Sequence, residues 1–251
     1  EQQFDRTLRK SFLTRFFYWL TDTYECRRFL SRLDQIVVLD ERDRIWVKKT
    51  MGKNAWVIPG GFEPSRFKFQ RRILPANEPI RLLALGVFFT HRRFEDAIRA
   101  LALLKNRGYN LILTILGDPS PDRRYANSLQ IISEKLEINE SVFFRGRVSD
   151  ENLIKEFNQN HIFLFPSDLQ SLGLVVYEAM ASGLPVVVSR GAGVHEVLRN
   201  GEAALLVNPR SPGEIAHAIE RLICDPGLYS RISTNGHDFV INHRSWSHYT
   251  D

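Results

Sequence analysis

FPSDLQSLGLVVYEAMASGLP, residues 165–185, decides the fold of this chain. The run just before it, His161-Ile-Phe-Leu-Phe165, reads as a buried strand that ends in a polar turn. Ser171-Leu172-Gly173 then opens a helix that continues through Leu174 and carries Glu178, and after Ser182-Gly-Leu-Pro185 a second apolar strand follows, Val186–Ser189. A glycine at a helix opening lets free backbone N–H groups approach an anion, and the helix dipole favours negative charge there. Glu178 lies about two helical turns beyond Ser171. A carboxylate repels phosphate, so its natural partners beside such a cradle are hydroxyls, such as a ribose diol. A phosphate cradle with a diol acceptor reads as a nucleoside diphosphate site.

The segment resembles the C-terminal, donor-binding domain of family-4 retaining glycosyltransferases, which have the two-domain GT-B fold. That family carries Glu, seven residues, Glu, then Ala-Met-Ala, a variable residue, Gly, a variable residue and Pro. This chain has Gln170, then SLGLVVY, then Glu178-Ala-Met-Ala-Ser-Gly-Leu-Pro185. The second Glu and all that follows agree; the first Glu is Gln170. The resemblance runs from about Leu33 to Trp246 with most blocks in the family's order. It implies a nucleotide-sugar donor as substrate, transfer with retention, a saccharide or lipid-linked acceptor, no cofactor and no metal. It further implies that the Ser171–Leu174 amides hold the diphosphate, that Glu178 holds the ribose, and that Gln170 contacts the sugar hydroxyls.

Working outward, strand-like runs alternate with helical periodicity from Ile80 onward. The strands are Arg81–Leu85, Leu111–Leu116, Val142–Phe144, Ile162–Phe165, Pro185–Val188 and Ala204–Val207. Between them lie helical segments at Phe94–Asn106, Arg123–Leu136, Glu151–Asn158, Leu172–Ala181 and Val194–Leu198. This alternation predicts an α/β fold, a Rossmann-like parallel sheet of about six strands covered by helices on both faces. Ligands of such sheets sit at the carboxyl ends of the strands. Gln35–Leu39 and Ala55–Ile58 read as further strands flanking a short helix, and the proline-punctuated, basic stretch Pro64–Pro79 reads as a linker. The expected organisation is the end of an N-terminal domain with its linker at 1–79, a nucleotide-sugar domain at 80–225, and terminal helices at 226–251 that in the family cross back to the N-terminal domain.

The loops after the strands supply the remaining candidates. Gly86 follows the first strand, and Arg92 and Arg93 precede the helix; guanidinium groups pair with phosphate in a bidentate fork. The blander reading is an arginine pair at a helix start. In the family, Arg just after this Gly and Lys five residues later face the donor diphosphate. Here those positions are Val87 and Arg92, so Arg92 becomes the main phosphate candidate, and Arg93, where the family often has Gly, is expected to replace part of the lost charge. Gly117 ends the second strand near the nucleotide by resemblance, while Asp118 and Asp122 in DPSPD read as turn chemistry. Phe144-Arg-Gly146-Arg-Val148 resembles a family stretch whose backbone faces the nucleobase. His91 adjoins the phosphate loop, and His195 in GAGVHE reads as structural. No HExxH, GxSxG or Walker lysine pattern is present.

Composition bounds the partners. The 251 residues are 43% hydrophobic and 25% charged, as in an ordinary globular protein. Residues 1–80 hold 16 Lys+Arg against 10 Asp+Glu, and the rest holds 18 against 19, so the net +5 belongs to the N-terminal segment and gives nucleic-acid binding no support. Cys26 and Cys224 have no metal-ligand or CxxC spacing, which fits a reducing, cytoplasmic setting. The chain starts at Glu1 and reads as a piece of a longer protein. Residues 4–33 place Phe12, Phe16 and Leu20 at helical spacing among arginines. They predict either a helix packed on a missing domain or a basic amphipathic helix giving peripheral membrane contact through residues 1–33. Three competing functions remain: a GT-B-fold epimerase or phosphorylase, a non-catalytic nucleotide-sugar-binding relative suggested by Val87 and Gln170, and a dinucleotide site at Gly191-Ala-Gly193, which lacks the third glycine.

Overall fold

The computed structural model describes residues 32–58 and 60–244, together with Leu20, Tyr24, Arg28 and Phe29. Most of the amphipathic stretch 4–33 lies outside the described residues; Leu20, Tyr24 and Phe29 are helical and exposed. The chain divides into two compact units, Glu1–Pro59 and Gly60–Asp251. In the first, β1 (Val37–Val38) pairs in parallel with β2 (Trp56–Val57), joined through α1 (Glu41–Met51). Asp40 caps α1 by accepting from the Asp43 N–H at 2.8 Å, and Gly52 closes it in the left-handed region.

The second unit is built on a six-stranded sheet. Its strands are β3 (Ile80–Leu85), β4 (Leu111–Leu116), β5 (Val142–Arg145), β6 (Ile162–Phe165), β7 (Val186–Ser189) and β8 (Leu205–Val207). They lie in the order β5-β4-β3-β6-β7-β8, with every pairing parallel. The chain builds outward from β3 to β5, then returns to lay β6 on the other side of β3. That reversal leaves a crevice beyond the carboxyl ends of β3 and β6, the place where such sheets bind ligands.

Parallel strands need cover on both faces, and the apolar runs supply it. Leu82, Ala84, Leu113, Ile115, Ile162, Leu164 and Val187 point into one core, with α2 (Phe94–Asn106) and α6 (Pro212–Cys224) packed over it. Their neighbours Leu83, Leu116, Phe163, Phe165, Val186 and Val188 point into the other, against α4 (Asp150–Gln159) and α5 (Leu174–Ala181). α3 (Arg123–Lys135) is capped by Asp122, which accepts from Tyr125 N–H at 3.0 Å, and α4 by Ser149. α7 (Pro226–His243) opens on the Asp225-Pro226 cap and packs within the second unit, where Ser233 Oγ donates to Gly183 O at 2.7 Å and Tyr229 Oη to His161 O at 2.8 Å. Among the described residues no helix is long and apolar enough to cross a membrane.

One detail differs from the periodicity reading. Val194–Leu198 is not an α-helix: Gly193–Val197 forms a 3₁₀ turn, with His195 Nδ1 2.8 Å from the Ala192 carbonyl oxygen. The linker stretch Pro64–Pro79 and the residues before it are also packed, with Phe62 and Phe67 buried in the second core. Arg72 fastens it further: Nη1 donates to Asn158 O and Asn160 O, and Nη2 to Ser182 O, all at 2.9 Å. A guanidinium there satisfies carbonyls left open at the C-terminal ends of α4 and α5.

Candidate functional site

Six loops at the carboxyl ends of the strands form the candidate site. The first runs from Gly86 to Arg93. Gly86 N–H donates to Leu116 O at 3.0 Å, continuing the β3–β4 ladder, and the chain then turns through a short 3₁₀ segment, Thr90–Arg92. The Arg92 side chain folds back over Gly86, with Nε 3.1 Å from where a Cβ would stand, so the missing side chain at 86 makes its seat. Arg93 takes the left-handed conformation, φ 54°, and its guanidinium turns to the first turn of α2. It pairs with Glu95 at 2.6 Å and with Asp96 at 2.9 and 3.0 Å. Asp96 is buried, so this arginine neutralises an interior carboxylate.

Gly117 ends β4 with its N–H shared between Arg145 O and Gly146 O, each at 3.3 Å. A Cβ there would collide with the Gly86 carbonyl, and its φ of 149° also favours glycine, so the first two loops touch backbone to backbone. Asp118 Oδ1 accepts from Ser120 N–H at 2.8 Å and Asp122 caps α3, which is turn and cap chemistry at both aspartates. Phe144 lies within β5, and its ring packs inward near Phe88, at 6.4 Å between centroids, while Gly146 follows the strand with open space at its Cα.

The loop after β6 holds the sugar-side candidates. Helix α5 begins at Leu174, because Gly173 is left-handed at φ 83° and ends the loop rather than extending the helix. A side chain at 173 would also strike the Phe165 ring at 2.8 Å. α5 has neither a side-chain cap nor an acidic residue in its first turn. The backbone N–H groups of Ser171, Leu172, Gly173 and Leu174 find no acceptor among the described residues. Leu172 is buried and Leu174 exposed. Gln170 is held by a parallel bridge to Ala192, with Gly193 N–H donating to Gln170 O at 2.8 Å. One turn and more into α5, Glu178 is half-buried; burial pushes its carboxyl above the ordinary 4.5, Arg66 pulls it back, and Asp150 pushes it up. Arg66 and Asp150 themselves pair at 2.7 Å.

Sequence reading missed the contact that joins these loops. Asp168 N–H donates to His91 O at 2.6 Å, tying the arginine loop to the Gln170 loop. Its carboxylate accepts from Arg210 Nε at 2.8 Å, from the loop after β8. Asp168 sat inside the decisive stretch, but a partner 42 residues away leaves no local signal.

The profile of the family described as glycosyl transferases group 1 matches residues 65–239. The chain belongs to that family. An uncharacterized glycosyltransferase of Methanocaldococcus jannaschii is 30% identical over 181 residues, which are 72% of this chain and 45% of that protein. The chain thus spans less than half of that relative's length. Among solved structures, sucrose-phosphate synthase from Thermosynechococcus elongatus superposes with a TM-score of 0.80 at 23% identity, over 91% of this chain and 58% of that one. Anabaena HepE in complex with UDP-glucose superposes with a TM-score of 0.81 at 19% identity, over 91% and 65%. Both likenesses concern the fold: the second unit has the Rossmann-like architecture of a GT-B half. In this group 1 chain, Ala179, Met180 and Ala181 of the family pattern are fully buried, and Gly183 leaves room for the Gln70 carbonyl, so these positions serve packing. Glu178, between them and the uncapped end of α5, is the polar exception.

Proposed function

We propose that this chain is the donor-binding half of a retaining, metal-independent glycosyltransferase that uses a nucleoside diphosphate sugar. One observation carries the reading: the open N-terminus of α5 and the Arg92–Gly86 loop flank the reversal of the sheet and are joined by the His91–Asp168 hydrogen bond. Amide donors and a guanidinium set beside one another stabilise the charge that grows on a diphosphate as the glycosidic bond breaks. Glu178 accepts from the ribose hydroxyls, and Gln170 orients the sugar through an amide that both donates and accepts. HepE, of like fold, is known with UDP-glucose bound, which supports a nucleotide-sugar donor without fixing base or sugar here. The acceptor is a saccharide or a lipid-linked saccharide, bound chiefly by parts of the protein beyond this chain. Peripheral membrane contact through residues 1–33 belongs to this reading as a proposal.

The test uses the whole protein with a donor found by screening. Transfer should persist in excess EDTA, and the product's anomeric proton should show the donor's configuration. Loss of activity on chelation, or an inverted product, contradicts the proposal. Absence of turnover with a verified donor and acceptor favours the non-catalytic relative, to which Val87 and Gln170 point.

A further inference from the structure

The Asp168 backbone joins the two loops of the scheme above, but its side chain has no role there. It follows β6 by a few residues, and its side chain is 14% exposed while its partner Arg210 is 67% exposed. Arg210 Nε bonds Oδ2, and no donor among the described residues bonds Oδ1. That oxygen is not sealed in the core, so it is open to a hydrogen-bond donor from a ligand. The backbone around it is specialised. Leu169 is left-handed at φ 57°, a conformation that strains a residue with a β-carbon. Residue 191 is glycine, where a Cβ would stand 3.0 Å from Oδ1 and 2.9 Å from the Asp168 Cα. Strain of this sort gathers at binding sites. The Asp168 N–H is locked to His91, the neighbour of Arg92, and the next residue but one is Gln170.

We infer that Asp168 accepts hydrogen bonds from hydroxyls of the donor sugar through Oδ1, and so helps to select the sugar. The inference rests on the donor-site reading above. Arg210 fixes Oδ2 and thereby aims the carboxylate; Gly191 keeps the space before Oδ1 clear; the His91 bond sets its distance from the diphosphate loop. A hydroxyl that bonds an ionised oxygen contributes more than one bonding an amide. Gln170 alone offers the neutral kind, and Asp168 adds the charged one.

The experiment measures binding of matched probes to the 251-residue chain by calorimetry: UDP with UDP-glucose, GDP with GDP-mannose, and ADP with ADP-glucose. The pair that binds best is carried forward, and its sugar conjugate should bind more tightly than the bare nucleotide. Asp168→Asn keeps size and the backbone bond; it should weaken the conjugate about tenfold, the effect of one charged hydrogen bond, and leave the bare nucleotide within about twofold. Adding Gln170→Glu to that variant returns a carboxylate to the same loop and should restore much of the lost preference. The inference is overturned if Asp168→Asn weakens both probes equally, which marks a structural brace, or weakens neither. It is also overturned if wild-type chain binds conjugate no better than nucleotide. Failure of every bare nucleotide to bind would instead strike the donor-site reading, and the inference with it. Melting temperatures of the unliganded variants, matched to wild type, exclude misfolding as the cause.

Discussion

Arg93 grips Asp96 with two hydrogen bonds, at 2.9 and 3.0 Å, while its neighbour Arg92 lies over Gly86. Adjacent arginines therefore do different work, although either could hold phosphate by chemistry alone. Removing the partner of a buried carboxylate costs about 3–5 kcal/mol. Arg93→Ala should lower the melting temperature by about 10 °C, with nucleoside diphosphate affinity little changed at temperatures where the chain is folded. Arg92→Ala should do the reverse: near-normal stability and at least about tenfold weaker nucleotide binding, the scale of a charged hydrogen bond. Calorimetry and thermal melts on both variants decide; equal binding losses would place both arginines on the phosphate.

Glu178 yields a pH prediction. Burial raises its folded carboxyl above the ordinary 4.5, so the folded state holds the proton more tightly than the unfolded chain. Stability from this group is then greatest at low pH and declines as pH rises through the raised value. Glu178→Gln should stabilise the unliganded chain at pH 7, and the gain should shrink on acidification. Affinity for the nucleotide follows the opposite course. The ionised carboxylate is the better acceptor, so wild-type affinity should fall as pH drops through that value, and the Gln variant should bind weakly at all pH. Melts paired with binding titrations from about pH 4 to 8 test both signs. A Gln variant that binds as well as wild type removes Glu178 from the ribose.

Gly117→Ala should damage the site through the backbone. Its Cβ would run into the Gly86 carbonyl, and a main-chain neighbour cannot swing aside as a side chain does. Melting temperature and nucleotide affinity should fall together, since shifting Gly86 unseats Arg92. A variant that melts and binds like wild type would show the two loops free to part.

The sheet was legible because parallel strands covered on both faces are near-continuous apolar runs; Leu111–Leu116 and Ile162–Phe165 appear in the structure with the same limits. Phe94–Asn106 was legible for the matching reason, a wide apolar face at helical spacing. Leu172 misled because it is buried: its side chain packs near Gly60 rather than in a helix, and Gly173 delays α5 to Leu174. The Gly193–Val197 turn misled in the same way, Val194 being buried in a 3₁₀ segment. Arg93 carried its own clue in Asp96, since side chains three apart meet at a helix start. The Asp168–Arg210 pair carried none, because only the sheet order brings β6 and β8 loops to one end.

The central claim is a nucleoside diphosphate site at the carboxyl ends of β3 and β6. Thermal melts of the 251-residue chain with UDP, GDP, ADP, CDP and TDP test it most directly. A ligand that binds only the folded state at about 100 times its dissociation constant adds about 2.7 kcal/mol. That corresponds to a rise of about 5–10 °C for a chain of this size. The account predicts such a rise with at least one nucleotide, reduced in Arg92→Ala and in Glu178→Ala. No rise with any of the five at saturating concentration, or a rise that both variants retain in full, would contradict it.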